Sequence, residues 1–275
     1  MLLSICIPTY NRCDKVLSLL KFVMEEVKKV PASDVEVIVS DNCSTDNTQI
    51  VLNEYCQDKG FIHYNRNSDN LGLIGNLHRL VELAHGQYVW FMGDDDIYYQ
   101  GVIGQVISKL KGGTYTYLFI NHCAYKDNPS DGTGFSSAIP DGLSCEEPQK
   151  AMLKIFNHSG TSLMFISASV FNRDILANCD CFGYDNLALP LYWSLYCASK
   201  GNMGLVPNVL IANKWGEISW SNESKRIFSE YIPNIFDSLP HLGYRRFASK
   251  LSLLKLKYRR SAFYGYSKAV LNKLK

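Results

Sequence analysis

Apolar positions follow two alternating rhythms along the first hundred residues. Leu2 to Pro8 (LLSICIP) is a short apolar run of the kind a buried strand needs. From Asp14 to Lys29 the residues Val16, Leu17, Leu20, Val23, Met24 and Val27 recur at helical spacing, with Pro31 beyond the end. Val35 to Ser40 (VEVIVS) is rich in β-branched residues and predicts a second strand. Thr48 to Tyr55 predicts a helix, and FIHYN a third strand. Gly72 to Ala84 places Leu73, Leu77, Leu80, Val81 and Ala84 on one helical face, and YVWFM follows as a fourth strand. Such alternation predicts an α/β fold, with a mostly parallel sheet flanked by helices.

The second half is less regular. A helix from about Val102 to Leu110 leads to a strand in TYTYLFINHCAY. Residues 126–146 are rich in Asp, Asn, Gly, Ser and Pro and predict a loop. A helix near Pro148 to Phe156, a strand SLMFIS, a short helix through VFNRDIL, a helix near Leu187 to Ser199 and a strand NMGLVPNVLI follow. After Trp220 the pattern is helical. No internal repeat or low-complexity tract interrupts it.

Composition narrows the class. The 275 residues allow one large domain, or one with an appendage. Hydrophobic residues at 47% and charged residues at 20% are ordinary for a globular chain, and a net charge of +2 selects no partner. There is no apolar run of about 18 residues, so no membrane-spanning helix is expected. The N-terminal MLLSICIPTYNR lacks a basic leader and reads as a first strand, not a secretion signal. The nine cysteines are scattered, several inside predicted elements, and are expected to be reduced thiols of a cytoplasmic protein. Cys179 and Cys181 have no second pair at zinc-site spacing.

The polar residues gather where strands end. After the first strand stand Thr9, Tyr10, Asn11 and Arg12; after the second, Asp41, Asn42, Ser44 and Asp46; after the fourth, Asp94, Asp95 and Asp96. In open α/β sheets, ligands bind outside the carboxyl ends of the strands. One such loop is explained by turns and helix caps; three along one sheet edge point to a site. Adjacent carboxylates repel one another and need a positive partner. Magnesium or manganese takes oxygen ligands and commonly bridges substrate phosphates, so a metal-bound diphosphate is the expected partner. Asp41 suits a base N–H, and Arg12 a phosphate or a ring. No G-x-G-x-x-G follows a strand and no phosphate-loop G-x-x-x-x-G-K-[ST] is present.

Three segments, SICIPTYNR, VEVIVSDNCSTDNT and NLGLIGNLHRLVELAHGQYVWFMGDDD, together resemble the family-2 inverting glycosyltransferases with the GT-A fold. The resemblance covers roughly residues 2 to 100, and SGTSLMFISASVFNRD is similar to the acceptor-side strand and helix of such enzymes. Within the family, the GLIGN and FMGDDD segments are similar to bacterial transferases that build O-antigen or capsule, abequosyltransferases among them. The resemblance implies that Pro8, Thr9, Tyr10 and Arg12 hold the nucleoside and that Asp41 binds the base. It places Asn70, Gly72 and Asn76 near base and ribose, and Asp94 to Asp96 at the metal motif. Many members carry one further acid, where this chain has Gly93. The carboxylate pair is then Asp94 with Asp96 or Asp95 with Asp96. The metal set taken is Asp94 and Asp96, with Asp95 beside the donor.

The implied reaction displaces a nucleoside diphosphate from the anomeric carbon with inversion, helped by a divalent cation (Mn2+ or Mg2+). The family's usual general base is an acid of a Glu-Asp pair on the acceptor side, and no such pair stands there. Asp185 in CFGYDNLALP is the expected catalytic base, with Asp180 and His158 as weaker substitutes. Trp193 reads as core; Trp215 and Trp220 flank a loop that can meet the donor sugar.

Three regions are expected: a nucleotide-sugar half at 1–100, an acceptor half at 101–220 and a helical basic extension at 221–275. From Arg245 to Lys275 there are ten Lys or Arg and no acid, interleaved with apolar residues. That pattern suits an anionic membrane surface, as for a peripheral enzyme acting on a glycan or lipid-linked acceptor; a packing surface in a homodimer is the rival. The conspicuous cluster is acidic, so no nucleic acid is expected. A second reading is a nucleotide-sugar-binding scaffold that lacks turnover.

Overall fold

The computed structural model describes residues 1–57, 59–125, 136–181, 184–214 and 223–257. In the first half, strands and helices alternate: β1 (Leu3–Thr9), α1 (Cys13–Val27), β2 (Val35–Asp41), α2 (Thr48–Cys56), β3 (Ile62–Arg66), α3 (Gly72–Leu83) and β4 (Tyr88–Phe91). Then come β5 (Ile97–Tyr98), α4 (Val102–Lys111), β6 (Tyr117–Tyr125), α5 (Pro148–Ser159), β7 (Ser169–Asn172), α6 (Arg173–Ala177), α7 (Leu189–Ser199) and β8 (Met203–Lys214).

All eight strands form one sheet in the order β3-β2-β1-β4-β7-β6-β8-β5. Strands β3, β2, β1 and β4 run parallel. Strand β7 is antiparallel to both β4 and β6, β8 is parallel to β6, and β5 is antiparallel to β8. The chain builds outward one way from β1 to β3 and the other way from β4. The strand order therefore reverses between β1 and β4, the place where α/β sheets leave a crevice for ligands.

Helices cover both faces, which is why β1, β2 and β4 are buried along their whole length. On one face Leu3, Ile5 and Ile7 of β1 meet Val16, Leu20 and Val23 of α1 and Val102, Ile103 and Val106 of α4. On the other, Cys6, Phe91 and Phe171 meet Leu77 and Leu80 of α3 with Phe156 of α5 and Trp193 of α7. Helix α7 has buried residues all round, so it is a core helix.

The C-terminal region is helical through Ser224–Arg226, a π turn at Ile227–Tyr231, Ile232–Ser238 and 246–257. Ile232, Ile235, Phe236 and Tyr244 join the second core cluster. The Phe236 ring lies 4.6 Å from that of Phe156, and the Tyr244 hydroxyl donates to the Leu195 carbonyl at 2.8 Å.

Two expectations for the second half are corrected. SLMFIS is not a strand: Gly160–Met164 and Ile166–Ala168 are 3-10 turns. VFN is not helical either. The strand is Ser169–Asn172, and the helix begins only at Arg173, capped by Asn172 Oδ1, which accepts from the Ile175 amide. A short apolar run carries no period that separates strand from turn, and here pairing with β4 and β6 decides the outcome. Trp215, Trp220 and residues 258–275 lie outside the described residues.

Candidate active site

Strand register brings the polar loops together. Thr9 at the end of β1 pairs with Asp41 at the end of β2, so Tyr10–Arg12 and Asn42–Asp46 emerge side by side. They are stitched by polar contacts: the Asn11 amide donates to Ser44 Oγ at 2.9 Å, and the Thr45 amide donates to Asn11 Oδ1 at 2.7 Å. Asn11 and Cys43 adopt left-handed backbone, with φ of 52° and 65°. Asn tolerates that region and Cys rarely occupies it, so the turn is held by its neighbours at some cost in strain.

The acidic loop after β4 closes against the β1 loop. Thr9 Oγ1 donates to Asp94 Oδ2 at 2.8 Å, and Arg12 Nη1 donates to Asp94 Oδ1 at 2.7 Å and to Asp95 Oδ2 at 2.9 Å. Arg12 is therefore a positive partner for two of the three carboxylates, from a residue far away in sequence. Burial still pushes the Asp94 carboxyl above the usual range, against the pull of Arg12 and Thr9.

Asp96 turns the other way. Its Oδ2 accepts from Ser167 Oγ at 2.6 Å. The same hydroxyl accepts from the Gly93 amide at 3.0 Å and from Tyr98 Oη at 3.0 Å. Burial, reinforced by the charges of Asp95 and Asp94 and opposed by Ser167, raises the Asp96 carboxyl well above its ordinary value. A cavity of about 420 Å³ lies beside the loop, lined by Asp94, Asp95, Asp96 and Tyr98 and by Asp14, Lys15 and Ser18 of α1.

Asp41 is fully buried. Its carboxylate accepts from the Ser44 amide at 2.8 Å and from Tyr64 Oη at 3.1 Å, with Arg66 Nε at 3.6 Å. Next to it an amide network ties β2 to α3. Asn76 Nδ2 donates to the Ser40 carbonyl, while Asn76 Oδ1 accepts from Ser40 Oγ and Asn67 Nδ2. Asn42 Nδ2 donates to Asn70 Oδ1 at 2.7 Å, and Asn70 Oδ1 also accepts the Gly72 amide. Gly72 opens α3 at φ +70°, a conformation that favours glycine.

Of the residues singled out from sequence, Thr9, Arg12, Asp94 and Asp95 share direct contacts, while Pro8 pairs with Ser40 inside the sheet. Tyr10 stays exposed at the rim. Asn70, Gly72 and Asn76 cluster with Asn42, on the Asp41 side. Asp185 lies apart from these contacts. It is exposed, and its carboxylate stands 3.7 Å from His78 Nε2 on α3. His78 is edge-on to Trp193, which stacks on Phe91 near the end of β4. Trp193 is 1% exposed, so it packs the core; truncating such a side chain costs about 3–5 kcal/mol. His158 is exposed, its Nε2 at 3.2 Å from the Ser137 carbonyl. Ser167, Tyr98 and Asn67 were not legible as site residues. Ser167 arrives from the 3-10 turn Ile166–Ala168 just ahead of β7, and nothing in its local sequence marks it.

The acidic loop offers only oxygen donors, as a hard divalent cation requires. Among the described residues no three acid, His or Cys side chains converge as a complete cage would. Mg2+-like ions need only one or two carboxylates when phosphate oxygens and water complete the set, so the residues present fit a cation shared with a bound diphosphate.

A family model described as glycosyl transferase family 2 matches residues 4–175. Abequosyltransferase RfbV of Salmonella typhimurium is 42% identical over 97 residues, 35% of this chain and 28% of that protein. A GalNAc(5)-diNAcBac-PP-undecaprenol beta-1,3-glucosyltransferase of Campylobacter jejuni is 29% identical over 177 residues, 64% of this chain and 53% of that protein. The match thus spans about half or less of these relatives' lengths. Among solved structures, S. aureus TarS 1-349 superposes with a TM-score of 0.71 at 17% identity, covering 96% of this chain and 72% of that one. The mannosyltransferase PcManGT of Pyrobaculum calidifontis, in complex with GDP-Man and Mn2+, superposes with a TM-score of 0.60 at 15% identity, covering 98% and 78%. The fold is GT-A.

Proposed function

The chain belongs to glycosyl transferase family 2, and from that membership we propose that it moves a sugar, with inversion, from a nucleoside-diphosphate sugar to a glycan or lipid-linked acceptor in bacterial surface-polysaccharide synthesis. The observation that carries this reading is the Arg12–Asp94 contact of 2.7 Å at the strand-order reversal, which holds the nucleoside-side and acidic loops as one rim.

The roles follow from position. Asp41 accepts from the base, the fixed carboxylate being shaped for an N–H donor. Asn70 and Gly72 line the base and ribose side with buried Asn76 behind them, and exposed Tyr10 forms the opposite wall, backed by buried Pro8 and Thr9. Arg12, on the rim beside Asp94 and Asp95, is the proposed cation for the diphosphate. Asp94 and Asp96 are the proposed holders of Mn2+ or Mg2+, with Asp95 beside the donor. A bound cation would supply neutralisation of the charge that grows on the departing diphosphate. Asp185 takes the proton of the acceptor hydroxyl as it attacks the anomeric carbon from the far side. The proposed division of labour is a nucleotide-sugar half at 1–100, an acceptor half at 101–220 and an extension at 221–275, mostly helical over its described residues 223–257. The cytoplasm, where nine free thiols persist, is the proposed compartment.

A scaffold that binds nucleotide sugars without turnover is favoured by one observation: the first turn of α7 contains no acid. Release of free nucleoside diphosphate from a donor panel, with acceptor and divalent cation, decides between them. Turnover supports the transferase; tight donor binding with no release supports the scaffold.

A further inference from the structure

The helix at 246–257 has two unlike faces. Ser249 and Ser252 point inward at 1% and 2% exposure. Phe247, Leu251 and Leu254 point outward at 81%, 40% and 62% exposure. Their spacing of four and three residues aligns them in one stripe. Helical geometry sets Arg246, Lys250 and Lys257 along one side of that stripe and Lys255 along the other, and all four are exposed. No Asp or Glu occurs from Ser238 to the last residue, so nothing in this stretch offsets the charge. An apolar strip this exposed is not left in water without reason, and its basic borders name the kind of surface it meets.

We propose that this face lies on an anionic lipid surface, with Phe247, Leu251 and Leu254 entering the headgroup boundary and Arg246, Lys250, Lys255 and Lys257 meeting lipid phosphates. A second copy of the chain fits less well. A two-fold pairing would lay one basic border against the other, and like charges across an interface are repulsive. The helix carries none of the residues proposed for donor, cation or acceptor, so this proposal stands or falls independently of the transfer reaction.

The full chain is mixed with phosphatidylcholine vesicles, with and without phosphatidylglycerol, and bound protein is measured by sedimentation. The wild type should bind only the anionic vesicles and release as salt rises. Phe247→Ser with Leu254→Ser should weaken binding about tenfold or more. Lys250→Gln with Lys257→Gln should weaken it about fivefold per charge removed. These positions are exposed, so unchanged melting temperatures exclude misfolding as the cause. Wild-type protein that ignores anionic vesicles at low salt overturns the proposal. So does a dimer that Phe247→Ser dissociates in the absence of lipid, or an acidic protein that competes for the face while vesicles do not bind.

Discussion

A β-carbon built on Gly93 would stand 2.6 Å from Oδ2 of Asp96 and 3.3 Å from Oγ of Ser167. Gly93 stands at the start of the acidic loop, and the Asp96 carboxylate fills the space beside it. It cannot swing aside freely, because Ser167 holds it at 2.6 Å. Gly93→Ala should therefore displace Asp96 and lower transfer by about 100-fold, the scale expected when a reacting group is misplaced by an ångström. Melting temperature should fall only slightly, since the displaced carboxylate borders the cavity of about 420 Å³. Ser167→Ala should act in the same direction but less, and steady-state kinetics of both variants check the order.

The fold was legible where period and chemistry agreed. Strands β1 to β4 and helices α1 to α4 stand within a few residues of their sequence-based bounds, because α1, α3 and α4 carry clear apolar faces and β1, β2 and β4 are buried. Strand β7 was misplaced because its identity depends on pairing with β4 and β6. In the site, Arg12 and the three aspartates were legible from strand-end position. Their pairing was not, because Arg12 and Asp94 meet only once β1 and β4 become neighbours. Ser167 shows the same limit: a serine in an apolar run becomes a site residue only through tertiary placement.

Asp41 has structural contacts and a proposed part in nucleotide binding, and the two can be separated. Tyr64 and the Ser44 amide already bond its carboxylate, so removing it should cost local order as well as the proposed nucleotide affinity. Asp41→Asn should weaken nucleoside diphosphate binding by at least about tenfold. Tyr64→Phe leaves the carboxylate in place and should weaken binding far less. Calorimetric titration of both variants tests this. Equal losses would make Asp41 a structural residue only.

His122 gives a pH signature. It is 2% exposed, between the Phe119 and Phe165 rings. Burial pulls its pKa down to about 3, opposed by a backbone hydrogen bond at Cys123. The folded value lies below the unfolded value of about 6.5, so the unfolded chain binds the extra proton first. Stability is fully present above pH about 6.5 and falls as pH drops toward 3, by up to about 1.4 kcal/mol per pH unit. His122→Leu should remove that part of the slope. Denaturant unfolding at several pH values checks it, and an unchanged slope assigns the acid sensitivity elsewhere.

Asp185 is exposed beside His78 and is proposed to act on the acceptor. Asp185→Asn should lower kcat by about 10²- to 10⁴-fold while donor binding stays constant. His78→Gln should have a smaller effect, through the position of Asp185. A loss under about fivefold for Asp185→Asn, small against the usual general-base contribution, would move the role to Asp180.

Asp96 combines a raised carboxyl with a fixed hydrogen bond. Burial favours its neutral form, so its charge opposes folding above its folded pKa and not below the unfolded one. Asp96→Asn should accordingly be at least as stable as the wild type at neutral pH. The decisive measurement is release of free nucleoside diphosphate from uridine, cytidine, guanosine and thymidine nucleotide sugars, by wild type and Asp96→Asn, with Mn2+ or Mg2+ and with chelator. If Asp96 holds the proposed cation, the wild type releases nucleotide from one donor class only when cation is present, and the folded Asp96→Asn protein does so at a small fraction of that rate. Normal release by Asp96→Asn in chelator would contradict that role.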